Sequence, residues 1–158
     1  MPSDRDTAGV IAPPPLLYLG TLGAALLVER VLWRPLPTGL AWGARATLAL
    51  VLLAVAVALL VGALGGFRAA RTPPEPWKAT RAIVDTGVYA RTRNPMYLAF
   101  ALVYLALALA LDSGTALLGV VPLLALVQWG VVRREERYLD ARFGDEYRAY
   151  RARVRRWL

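Results

Sequence analysis

The stretch ATLALVLLAVAVALLVGALGG at residues 46–66 decides the fold class of this chain. It runs for 21 residues without a charged side chain, and a helix needs about 20 apolar residues to cross the hydrocarbon core of a bilayer. Only a helix or a closed barrel satisfies the backbone hydrogen bonds in that environment. The stretch therefore predicts a membrane-spanning helix.

Another apolar run precedes this stretch, at residues 16–33. Glu29 and Arg30 interrupt its last turn, and their adjacency favours an ion pair at the membrane interface. Tyr18 and Trp33 bracket the run, as aromatic side chains at the two interfaces would. A signal peptide is the alternative, which the acidic residues near the start and the lack of a clear cleavage site disfavour.

Two more apolar runs, at residues 96–111 and 116–132, are joined by the short polar turn DSGT at 112–115. This pattern predicts a helical hairpin. Together the four runs predict an all-α membrane protein with about four transmembrane helices.

The composition agrees with this fold class and excludes several classes of enzyme. Of the 158 residues, 58% are hydrophobic and 19% are charged, and the chain has no Cys and no His. A thiolate nucleophile, a disulfide, a Ser-His triad and an imidazole base are therefore excluded, and we expect no metal site.

Basic residues are concentrated between the second and third runs and after the fourth. The net charge of +8 therefore lies at membrane edges, so we expect the bilayer as a partner and no nucleic acid. By the positive-inside rule, the long loop and both termini face the cytoplasm. The single domain 1–158 then has four parts: an N-terminal helix pair at 1–66, a cytoplasmic loop at 67–95, the hairpin at 96–132 and a C-terminal interfacial helix at 133–158.

The C-terminal part carries a stripe of apolar and aromatic residues. They recur at spacings of 4, 4, 3, 4 and 3, which places them on one face of a helix: Leu139, Phe143, Tyr147, Tyr150, Val154 and Trp157. Arginines fill the other faces, so the stretch predicts an amphipathic helix that lies on the membrane.

Glu135 and Glu136 extend that stripe towards the fourth run. Two interpretations stay open for this carboxylate pair. It can form a solvated cluster with the neighbouring Arg133, Arg134 and Arg137. It can also bind a cationic or hydroxyl-rich ligand, because a nearby low dielectric strengthens such contacts.

A second polar group precedes the third run, in GVYARTRNPMY at residues 87–97. Asn94 suits the N-cap and Pro95 the first turn of a helix, which would explain these two residues by structure alone. Other aromatic and basic side chains crowd the same helix entrance: Tyr89, Arg91, Arg93 and Tyr97. Free N–H groups, the helix dipole and an arginine there would suit an anionic group such as a carboxylate.

Several short motifs follow one another along the two stretches, with the hairpin between them. In chain order they are GxY at 87–89, RNPMY at 93–97, EExxL at 135–139, FGxxYxxY at 143–150 and Val154. This order resembles the C-terminal half of isoprenylcysteine carboxyl methyltransferase and its phospholipid methyltransferase relatives, over residues 87–158. The family has His where this chain has Asn94, and an Asn side chain donates hydrogen bonds but does not titrate near neutral pH.

The resemblance implies an integral membrane methyltransferase that binds S-adenosylmethionine on the cytoplasmic side. Arg93 would hold the carboxylate of this cofactor, and Glu135 with Glu136 its ribose or amine. The implied cofactor-binding residues are Tyr89, Arg93, Asn94, Pro95, Tyr97, Glu135, Glu136, Tyr147 and Tyr150, and the implied catalytic residues are Arg93, Asn94, Tyr97 and Glu135.

The acceptor implied by the resemblance is a lipophilic small molecule with a carboxylate, a thiol or an amine. Two alternatives stay open, an NADPH-dependent membrane reductase related to sterol reductases and a non-catalytic membrane scaffold. The sequence leaves the oligomeric state open.

Overall fold

A computed structural model describes residues 7–32 and 35–158. All regular secondary structure in these ranges is helical, which confirms the all-α fold class. Six helices follow one another: α1 at Pro14–Leu32, α2 at Trp42–Ala69, α3 at Pro95–Ala110, α4 at Gly114–Val127, α5 at Arg133–Phe143 and α6 at Asp145–Arg153. A 3-10 turn at Gly87–Ala90 precedes α3, and a π-helical turn at Gln128–Val132 joins α4 to α5 without a break.

Three helices in the described part of the chain are long and apolar enough to cross a membrane. They are α1, α2 and the continuous helix Gly114–Phe143 that α4, the π-helical turn and α5 form together. The apolar helix α3 has 16 residues and a length of about 24 Å, slightly less than the hydrocarbon thickness. All four predicted apolar runs are thus helical, and Trp33, the proposed anchor, lies outside the described residues.

Small residues let α2 approach its neighbours closely. A Cβ atom on Gly62 would lie 2.8 Å from the Val88 side chain, and one on Gly66 would lie 2.9 Å from Val84. Ala63, between them, is fully buried. The glycines of α2 therefore bring the loop before α3 onto the helix, where it forms one wall of the site described below.

The end of the bundle where α2 ends and α3 begins is called the site end, and the other is called the opposite end. At the opposite end, the Glu29 carboxylate accepts hydrogen bonds from Ser113 Oγ at 2.9 Å and from the Thr115 N–H at 3.3 Å. Asp112 accepts from Thr38 and forms an ion pair with Arg45 at 3.1 Å. These polar contacts join the first connection of the chain to the α3–α4 turn.

The C-terminal part at 133–158 is not one helix, so that prediction was wrong. Gly144 has φ 53° and ψ −119°, a conformation that L side chains rarely adopt, and it ends α5. Asp145 and Glu146 then start α6, where negative charge is favourable at a helix N-terminus.

The predicted stripe nevertheless packs together across this break. Five of its members form a cluster with Ile83 of the loop: Leu139, Phe143, Tyr147, Tyr150 and Val154. Trp157 lies beyond α6 and packs instead against the core between the membrane helices. These five residues of the stripe therefore share one buried surface, although the backbone turns between α5 and α6.

Candidate functional site

The site end of the bundle holds a cavity of about 120 Å³, which opens to the exterior. The residues predicted as binding or catalytic that line it are Tyr89, Arg93, Asn94, Tyr97, Glu135 and Tyr150. The structure therefore brings the helix entrance and the acidic stretch to one cavity. Pro95, Glu136 and Tyr147 lie behind this lining.

Glu136 joins the start of α3 to the C-terminus. Its Oε1 atom lies 3.2 Å from Arg93 Nη1, and Arg156 donates to both of its oxygens at 2.9 and 2.7 Å. The Glu136 side chain is only 12% exposed. Both carboxylate oxygens are therefore engaged inside the protein, with partners distant in sequence instead of the neighbouring arginines that the solvated-cluster interpretation proposed.

The hydrogen-bond donors of the Arg93 guanidinium are not all satisfied within the described chain. Its Nη1 atom faces Glu136 and donates to the Tyr147 hydroxyl at 3.4 Å. Its Nε atom is buried and has no hydrogen-bond partner among the described residues, in a side chain that is 9% exposed. An unsatisfied buried donor costs about 1 to 3 kcal/mol. The Arg93 side chain also lines the cavity, so a positive charge contributes to its wall.

Glu135 has a different environment from Glu136. Its Oε1 atom accepts a hydrogen bond of 2.5 Å from the Tyr97 hydroxyl, and it forms an ion pair with no residue in the described ranges. It also lines the cavity. The two adjacent glutamates therefore differ in their environment. Glu136 is neutralised within the protein, whereas the Glu135 carboxyl group has no cationic partner in the described chain and lies at the cavity.

Residues 155–157, which we call the C-terminal strap, fasten the start of α3. The Arg93 N–H donates to the Arg155 carbonyl at 3.0 Å, and Asn94 Nδ2 donates to the Arg156 carbonyl at 2.8 Å. Trp157 Nε1 donates to Gln128 Oε1 at 3.0 Å, on the π-helical turn. The strap thus connects α3 with the last membrane helix.

Asn94 occupies the N-cap position of α3, as predicted, but its side chain makes no capping bond to that helix. The amide instead holds the strap in place. The first N–H groups of α3 therefore receive no acceptor from the Asn94 side chain, which leaves the positive end of the helix dipole available beside Arg93.

Tyrosines form the aromatic part of the cavity wall. The Tyr89 ring meets the Phe67 ring edge to face, with centroids 5.5 Å apart, and the Tyr150 hydroxyl donates to the Tyr89 carbonyl at 2.9 Å. Burial raises the pKa of Tyr89 and of Tyr150, so both hydroxyls stay protonated at neutral pH. Tyr147 is 1% exposed and positions Arg93 from behind.

Several wall residues were not predicted from the sequence. They lie in the loop, at the N-terminus and on neighbouring helices: Ala8, Phe67, Pro73, Pro74, Glu75, Pro76, Thr80, Val84, Met96, Tyr138 and Leu139, among others. The proline-rich stretch at 73–76 forms part of the wall, and its prolines restrict the backbone there. The N-terminal segment closes on it, because the Ala8 N–H donates to the Pro76 carbonyl at 3.3 Å.

The groups available to a ligand are thus one guanidinium, carboxyl groups, an amide, backbone N–H groups and aromatic rings. No group of three or more His, Cys, Asp or Glu residues that could hold a metal ion occurs in the ranges 7–32 and 35–158. The fold and the cavity define the class of this protein: a helical membrane protein with a mixed polar and aromatic cavity at one end of its helices.

Comparison with known proteins gives the family. The family described as phospholipid methyltransferase matches residues 44–146, which is more than half of the chain. The chain therefore belongs to the phospholipid methyltransferase family, a family of membrane methyltransferases, and the resemblance drawn from the sequence is confirmed.

A protein of Haemophilus influenzae described as uncharacterized is similar in sequence. It is 46% identical over 63 residues, which are 40% of this chain and 100% of the relative. No solved structure matches the chain significantly.

Proposed function

We propose that this protein transfers a methyl group from S-adenosylmethionine to a lipophilic or membrane-associated acceptor at the site end of its bundle. The single observation that carries the proposal is the convergence of the Arg93 side chain and the Glu135 carboxyl group on one cavity. Family membership supports the methyl-transfer chemistry.

The cavity residues fit the proposed methyl donor group by group. Its carboxylate matches the Arg93 side chain and the N–H groups at the start of α3. Its ammonium or ribose hydroxyls match Glu135, and its adenine ring matches the aromatic wall at Tyr89 and Tyr150. When bound, S-adenosylmethionine would supply an electrophilic methyl group attached to a sulfonium.

The contribution of the chain to the reaction is positioning and the exclusion of water. The Tyr97 hydroxyl orients the Glu135 carboxyl group, and the pair of Glu136 and Arg156 fixes the Arg93 guanidinium. A carboxylate or thiolate acceptor needs no base.

We further propose that the site and both termini face the cytoplasm. Basic residues flank the site end on the loop after α2 and on α5, which is the distribution that the positive-inside rule associates with the cytoplasmic face. A water-borne methyl donor and a membrane-borne acceptor would then meet at that interface.

Two other functions are less well supported. An NADPH-dependent reductase would need basic side chains for the extra phosphate, and Arg93 is the one cationic residue among the described residues of the cavity wall. A scaffold would have no need for a cavity that a guanidinium and a carboxyl group line together.

A transfer assay tests the proposal. Purified protein in detergent is incubated with S-adenosylmethionine that carries a tritiated methyl group, and with lipophilic acceptors that bear a carboxylate, a thiol or an amine. We expect label in the organic phase with at least one acceptor class, and much less with Glu135→Gln. The exposed Arg151 on α6 gives a control, Arg151→Gln. Equal labelling by wild type and Glu135→Gln would contradict the proposed site.

A further inference from the structure

A second groove lies beside the cavity, at the point where α2 leaves its apolar surroundings. It is separate from the polar part of the cavity and shares with it only Phe67 and the first prolines of the loop. Its described wall is strongly basic: Arg68, Arg71, Lys78, Arg81 and Arg142. The wall also contains Leu64 of α2 and Trp77, which is 50% exposed.

Most of this positive charge is uncompensated. Lys78 pairs with Glu75 at 2.6 Å. Arg68, Arg71 and Arg81 form no ion pair with any residue in the described part of the chain. Among the described residues, the groove wall therefore has the charge of an anion site and contains no acidic side chain.

Arg71 lies directly after the C-terminal end of α2 in a left-handed backbone conformation. It follows the end of α2 with φ 50°, and its N–H donates to the Arg68 carbonyl at 3.1 Å. The next N–H, of Thr72, donates to the Phe67 carbonyl at 3.1 Å, which completes the helix-ending motif in which glycine is usual. An L side chain is strained in this conformation, so the presence of a guanidinium there indicates a use for its charge.

We propose that this groove binds the phosphate of an anionic phospholipid from the leaflet that meets the C-terminal end of α2. The phosphate lies among Arg68, Arg71 and Arg81, and the acyl chains follow the apolar surface of α2 near Leu64. Trp77 suits the headgroup level, where aromatic side chains collect. The site is distinct from the methyl-transfer cavity and does not depend on the proposed function.

A lipid is favoured over free phosphate because the groove is not uniformly polar. Its basic wall continues into Leu64 and Phe67, which a small anion would leave uncovered. An amphiphile matches both parts of the wall at once.

Native mass spectrometry of the full chain in detergent tests the proposal, with phosphatidylglycerol compared with phosphatidylcholine of the same chain length. We expect phosphatidylglycerol to bind at least tenfold more tightly. Replacing Arg71 by Gly should weaken that binding about fivefold, as expected for one arginine at a membrane surface, while the thermal midpoint stays the same or rises because strain is removed. Arg68→Gln combined with Arg81→Gln should weaken it further.

Arg151→Gln is the matched control, since Arg151 is exposed and lies outside the groove. Equal binding of the two lipids, or the same loss in Arg151→Gln as in Arg71→Gly, would overturn the proposal. Displacement of phosphatidylglycerol by equimolar inorganic phosphate would also overturn it, because the site would then serve a free anion. S-adenosylmethionine binding does not enter these readouts, so a failure here is distinguishable from a failure of the methyltransferase proposal.

Discussion

Arg93, just before α3, and Glu136, in α5, lie 3.2 Å apart and are both about nine-tenths buried. The pair joins the loop side of the site to the last membrane helix. Arg93 also lines the cavity, and so does Glu135, the residue before Glu136. Four predictions follow from this arrangement and from the chain that supports it.

Replacing Arg93 by Lys should weaken the binding of S-adenosylhomocysteine more than tenfold, about 1.4 kcal/mol. Lysine keeps the positive charge beside Glu136 but lacks the planar set of donors with which a guanidinium binds a carboxylate. The dissociation constant from calorimetric titration measures the change, with Arg151→Gln as the control. Affinity retained in Arg93→Lys would show that the guanidinium does not hold the carboxylate of the ligand.

The two glutamates should respond differently to amide substitution. Glu136→Gln should destabilise the fold by about 2 kcal/mol, because Arg93 and Arg156 lose the anion that they share. Glu135→Gln should change the thermal midpoint little and reduce cofactor affinity, since Glu135 forms no ion pair in the described chain. Thermal unfolding and titration on both variants separate the effects. The reverse pattern would show that the roles assigned to the two carboxyl groups are wrong.

Asn94→Asp should be more harmful than Asn94→Ala. The aspartate would place a negative oxygen against the Arg156 carbonyl that the Asn94 amide now contacts at 2.8 Å, whereas alanine only removes the bond. We expect Asn94→Ala to cost about 1 kcal/mol and Asn94→Asp up to about 3 kcal/mol in unfolding free energy. A chemical denaturation series measures both. If aspartate were as well tolerated as alanine, the amide would not be fastening the C-terminal strap.

Gly144→Ala should destabilise the protein by about 1 to 3 kcal/mol, because Gly144 adopts a positive φ between α5 and α6. Gly65→Ala is the matched control, since a Cβ atom there meets nothing within 4 Å and the residue is helical. That control should be neutral or slightly stabilising. The difference in thermal midpoint between the two variants tests whether the helix is interrupted at Gly144. A neutral effect of Gly144→Ala would favour one continuous C-terminal helix.

The membrane helices were predictable because apolar length is a local property of the sequence. Residues 46–66 lie wholly within α2, and Pro95 begins α3 as an N-terminal proline should. The convergence of Arg93 with Glu135 was implied by the family resemblance, and the structure brings both to one cavity. The pairing of Glu136 with Arg156 was not predictable. The backbone turns at Gly144 and brings Arg156 to Glu136, whereas the regular spacing of apolar residues through this region indicated one straight helix.

The central claim is that the methyl donor binds in the cavity shared by Arg93 and Glu135. Calorimetric titration of the wild-type protein with S-adenosylmethionine and, separately, with NADPH measures it most directly. We expect saturable binding of the first ligand, a more than tenfold weaker interaction in Glu135→Gln, and no binding of the second. Absence of S-adenosylmethionine binding to the folded wild type, or equal affinity in Glu135→Gln, would contradict the claim.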